Sequence, residues 1–95
     1  MMLSWQETER LLVEGKNLLS ASVAVEHAAA LEQFDEFIDH NELGLAFQWL
    51  ESIPWESQRN CLPVLRLLRL AAIQMKMHDE TALIDEEIAL LQAQA

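Results

Sequence analysis

The apolar pattern of this chain repeats at intervals of three and four, not two, and only two glycines and two prolines interrupt it. That spacing puts the apolar side chains on one face of an α-helix and leaves no alternation from which to build a half-buried strand. The predicted fold is therefore all-α, a compact bundle of four to five helices. The 95 residues suit a single helical domain spanning 1–95. A chain of this size buries only about two-thirds of its unfolded surface, so the core must be efficient. An apolar fraction of 52% is ample for that.

The pattern predicts the elements one by one. Ser4 and Glu7 have the spacing of a capping box for a first helix with Trp5, Leu11, Leu12, Leu18 and Leu19 as its apolar stripe, although Gly15 falls inside it. Ser20 or Ser22 caps a second helix running to about His40, with Ala24, Ala28, Leu31, Phe34, Phe37 and Ile38 inward. Asn41 is the expected N-cap of a third helix through Ser52, on a stripe of Leu43, Ala46, Phe47 and Leu50. Pro54 stops it. Asn60 is the expected cap of the fourth helix, with Pro63 in its first turn, where the missing amide hydrogen costs nothing. This fourth helix is apolar most of the way round apart from a basic strip of Arg66, Arg69 and Lys76, so it is expected at the bundle centre. Asp79 caps a fifth helix to about Gln92, with Leu83, Ile84, Ile88 and Leu91 facing in.

Charge is segregated along the chain. Between Asn17 and Ser57 stand eight carboxylates (Glu26, Glu32, Asp35, Glu36, Asp39, Glu42, Glu51 and Glu56) and no Lys or Arg. Gln58–His78 carries Arg59, Arg66, Arg69 and Lys76 without an acid, and Asp79–Glu87 is acidic again. The formal net charge is −10. Phosphate neutralisation dominates nucleic-acid affinity, so this balance opposes a DNA- or RNA-binding role and docking on anionic lipid alike. It suits a basic protein partner.

No apolar run approaches the ~20 residues of a membrane span, and the start of the chain lacks the features of a secretory signal. The single cysteine, Cys61, excludes an internal disulfide and fits a reducing, cytoplasmic setting.

Glu32, Asp35, Glu36 and Asp39 fall within about a 100° arc of the second helix, opposite Leu31, Phe34, Phe37 and Ile38. Like charges at helical spacing destabilise the helix, by a few tenths of a kcal/mol per pair. Interleaved lysines would remove that cost, so their absence marks either a recognition face or a merely solvated one. Leu45 and Trp49, four residues apart on the third helix, lie off its core stripe. They either pack on another helix of the bundle or form an exposed anchor of the kind that dominates interface energetics. Trp55, beside the acidic segment, has the same two readings. The expected partner-binding set is Glu32, Asp35, Glu36, Asp39, Glu42, Trp49 and Trp55.

Other chemistry has little support. Glu36, Asp39, His40 and Glu42 lack the paired Glu-x-x-His spacing of a helical di-metal site. His27, His40 and His78 are scattered, and His40 and His78 fall near expected helix C-termini, where a cation is favoured. Cys61 has no His or Asp close in sequence to activate it, and no phosphate loop or hydrolase or zinc motif is present. The chain is expected to be a binding protein and not an enzyme, without metal or cofactor.

The segment Phe34-Asp35-Glu36-Phe37-Ile38-Asp39-His40-Asn41-Glu42-Leu43-Gly44-Leu45-Ala46-Phe47 resembles one found in MafI-like immunity proteins of bacterial polymorphic toxin systems. There an aromatic and acidic helix runs through a His-Asn/Gly-Glu-x-Gly-Leu-Ala turn into a second helix. The resemblance implies a cytoplasmic antidote that binds and neutralises a cognate toxin domain, often a nuclease. The residues alone also explain the corner, with Asn41 as cap, Glu42 against the helix dipole, and Gly44 allowing another backbone to approach. Two rival readings stand beside it: a helical-hairpin adaptor or secretion chaperone, and a homodimeric structural protein paired through Leu45, Trp49 and the fourth helix.

Overall fold

The computed structural model describes residues 4–53 and 62–94. Six helices and no strand are found among them: α1 (Ser4–Asn17), α2 (Ala21–Glu26), α3 (Ala28–Asp39), α4 (Leu43–Glu51), α5 (Leu62–Gln74) and α6 (His78–Gln94). The all-helical class is as the periodicity requires. The count exceeds four to five because the expected second helix breaks once, at His27. Ser20 caps α2, its side chain accepting from the Val23 amide. His27 then leaves helical geometry (φ −110, ψ 29), although its amide still donates to the Val23 carbonyl and its carbonyl still accepts from Leu31. His27 thus closes the ladder of α2 and opens that of α3, and neither Gly nor Pro marks the bend.

α5 is the hub. It packs along α1 on one side and α6 on another, and α4 closes the centre against both α1 and α5, while α3 lies on α4. The radius of gyration, 12.8 Å, is close to the ~12 Å expected for a compact chain of this length. The core draws Leu11 and Leu12 from α1, Leu31 and Phe34 from α3, Leu43, Ala46, Phe47 and Leu50 from α4, and Val64, Leu65, Leu68, Ala71 and Ala72 from α5. From α6 only Ile84 is fully buried.

On α1 the buried stripe is Thr8, Leu11, Leu12 and Gly15, a strict helical spacing in which a polar residue and a glycine replace the expected Trp5 and Leu18. Thr8 is buried yet satisfied: its hydroxyl donates to Gln74 Oε1 at 2.9 Å, tying α1 to the end of α5. Gly15 does not interrupt the helix, and a Cβ there would stand 3.4 Å from Leu50 Cδ2 and 3.7 Å from Val64 Cγ1. Both Glu7 oxygens accept from Arg10. Arg10 spans Glu7 and Glu14 along the exposed face, and that guanidinium holds the Glu7 carboxyl below the usual range.

Two turns differ from expectation for one physical reason. Asn41 does not cap α4; it terminates α3 in a left-handed conformation (φ 58). The Glu42 amide reaches back to the Phe37 carbonyl at 2.8 Å and the Asn41 amide to that of Ile38 at 3.0 Å, which satisfies the last carbonyls of α3 in a Schellman motif. Lys76 (φ 59) repeats it after α5, with Met77 N–H on Ala72 O at 2.9 Å and Lys76 N–H on Ile73 O at 3.0 Å. Lys76 is therefore in a turn, outside the α5 strip. Asp79 lies in the first turn of α6, which begins at His78, so this histidine sits at a helix N-terminus and not at a C-terminus. His40 does close α3. The expected cap Asn60, with Cys61 and Trp55, lies outside the described residues.

Candidate functional site

The outer face of α3 is built by its own burial pattern. Leu31 and Phe34 are buried, Phe37 and Ile38 are partly buried against the core, and Glu32, Asp35, Glu36 and Asp39 are left on the exposed side. Glu42 continues this face across the Asn41 turn. It occupies the N-cap position of α4, is exposed, and makes no capping hydrogen bond. Five of the expected partner-binding residues therefore lie on the surface of one helix–turn–helix corner.

One of the five is not unneutralised. Lys16, the last basic residue before the acidic segment, donates from Nζ to both Asp35 oxygens at 2.7 and 2.8 Å. The pair is largely exposed, so its worth is small. Among the described residues, no Lys or Arg forms an ion pair with Glu32, Glu36, Asp39 or Glu42. Gly44 plays no close-packing role: a Cβ there would meet nothing within 4 Å.

On α4, the residues off the core stripe point outward. Leu45 is 42% exposed and Trp49 39%, which corrects the packed alternative for this pair and leaves the exposed one. Gln48, Trp49 and Ser52 line a shallow surface depression, and the Ser52 hydroxyl donates to the Trp49 carbonyl at 2.6 Å. Trp55 falls outside the described residues. No group of three or more His, Cys, Asp or Glu side chains among the described residues is arranged to hold a metal ion, so Glu36, Asp39, His40 and Glu42 do not converge on one.

A second acidic locus was not singled out from the sequence. Glu51, at the end of α4, and the α6 residues Leu83, Ile84, Glu86, Glu87 and Leu90 line a cleft of about 400 Å³. Glu51 and the cleft-lining acids Glu86 and Glu87 are 35 and 36 positions apart in sequence, and the packing of α4 and α6 on α5 brings them together. The Glu51 carboxyl is pushed above its ordinary range, first by burial and then by the charges of Glu80 and Glu87. Leu83, expected to face inward, is 58% exposed on the rim. On α5, Leu70 and Ile73 are also exposed, so the helix is not buried on all sides, while Arg69 meets Asp85 of α6.

No family model matches the chain, and no curated protein or solved structure matches it. No helix among the described residues is long and apolar enough to cross a membrane.

Proposed function

We propose that this chain is a binding protein, not an enzyme, that captures a basic protein partner through the α3–α4 corner. The resemblance of residues 34–47 to MafI-like immunity proteins gives the partner its class: a toxin domain, neutralised in the cytoplasm. The observation that carries this reading is the exposed set of Glu32, Glu36, Asp39 and Glu42, with which no described Lys or Arg forms an ion pair. Such a face costs helix stability, which a cationic partner offsets on binding. Trp49 and Leu45, exposed on the following helix, supply the apolar contact that carboxylates alone lack.

The mechanism is occlusion. Carboxylates of α3 engage Lys and Arg that otherwise hold the toxin's anionic substrate, and the negative field speeds encounter at low ionic strength. Asp35 joins by exchanging its exposed Lys16 contact for one with the partner.

The test is co-expression with the product of the adjacent reading frame in a bacterial host. The expected result is toxicity relieved by this chain, and relief lost when Glu32, Glu36 and Asp39 are changed together to Lys while circular dichroism stays helical. Relief retained by that variant removes the α3 face from the interface. A harmless neighbour favours the homodimer reading, for which exposed Leu70 and Ile73, three residues apart on α5, supply an apolar strip. Light scattering then shows a mass twice that of the chain.

A further inference from the structure

The cleft between the end of α4 and α6 has a chemistry of its own. Its floor is Ile84, which is 1% exposed. Leu83 and Leu90 rise beside it, 58% and 63% exposed. Seven residues apart, they stand two helical turns from one another, about 10 Å along α6. Glu51, Glu86 and Glu87 complete the lining, and no Lys or Arg belongs to it among the described residues.

Two leucines this exposed on a 17-residue helix are a cost to the fold, since each leaves more than half of its surface in water. The α6 sequence has alanines at positions 82, 89 and 93 that fill exposed sites without that penalty. Glu51 adds a second cost: its carboxylate is half withdrawn from water and faces like charges from α6. An apolar stripe relieves the first cost and a cation the second. One element offers both, a helix with apolar residues at i, i+3, i+4 and i+7 and Lys or Arg on its flanks. A second copy of this chain fits poorly, because each copy brings a charge of −10.

We infer that the α4–α6 cleft docks a basic amphipathic helix of a partner protein, its apolar stripe on Leu83 and Leu90 and its flanking cations on Glu51 and Glu86. This surface is separate from the acidic face of α3 and does not depend on it.

The experiment uses the full chain, isotopically labelled, with two synthetic peptides of about five helical turns made of the same leucines and lysines. In one the leucines form a stripe; in the other the order is scrambled. The expected result is amide shift changes confined to α6 and the last turn of α4, with the striped peptide bound roughly tenfold more tightly than the scrambled one. Changing Leu83→Ser and Leu90→Ser together weakens the striped peptide by a similar factor. These side chains are mostly in water, so an unchanged melting curve is expected. Equal affinity for both peptides means charge attraction alone and overturns the inference. So do shift changes on α3 or α5, or full binding by the double serine variant. The wild-type shift map decides the matter even where a variant folds poorly.

Discussion

Lys76 adopts a left-handed backbone that an L-residue with a full side chain occupies at a cost of about 1–2 kcal/mol. The Schellman bonds around it hold the turn regardless. Lys76→Gly is therefore expected to raise stability by about 0.5–1 kcal/mol, the relief being partly offset by glycine's freedom in the unfolded chain. A shift of the urea midpoint at unchanged slope checks it. Asn41→Gly gains less, because Asn tolerates that region better. Glu51 gives a prediction in pH. Its folded-state carboxyl titrates above the unfolded value, so protonation favours the fold, and that contribution fades as pH rises through the folded value. Glu51→Gln should thus melt higher than the parent at neutral pH. The difference should shrink on acidification and level off below about pH 4, where the unfolded carboxyl is protonated as well. A difference that is flat between these limits rejects the assignment.

Helix α6 is held chiefly by α5, with Ile84 as its one fully buried side chain and Ile88 and Leu91 as partial supports. It is expected to open locally at lower free energy than α1, α4 and α5, and amide exchange should show α6 losing protection first. Uniform protection across α5 and α6 contradicts this. Helices were legible because leucine and phenylalanine spacing dominates a chain nearly free of Gly and Pro. The α4 stripe of Leu43, Ala46, Phe47 and Leu50 is buried as expected. The break at His27 was not legible, since the alanines and valines around it favour no bend. The role of Asn41 was ambiguous for a chemical reason: the same short amide side chain suits both an N-cap and a left-handed C-terminal turn. The Thr8 and Gly15 positions on the α1 stripe carry the right spacing, but a polar residue and a glycine are not read as core without knowing what faces them.

At the scale of the molecule, the segregation of charge in sequence becomes a separation of surfaces. The acids of α3 stay outward, while Arg69 turns to Asp85, and Lys16 is spent on Asp35. Which surfaces were acidic was legible; that Glu51 and α6 form a cleft was not, because their proximity is a product of topology. That topology has a consequence in time. The stripe of Leu11 and Leu12 lies mainly against α5, whose last residue, Gln74, is synthesised 57 positions after Asn17. At a ribosomal pace of roughly 5–20 residues per second, α1 waits about 3 to 11 seconds for its cover. During that interval the emerging chain displays leucines beside an acidic stretch that opposes self-association. The carboxylates of α3 therefore add electrostatic repulsion between neighbouring nascent copies before the helix that completes the core has left the ribosome.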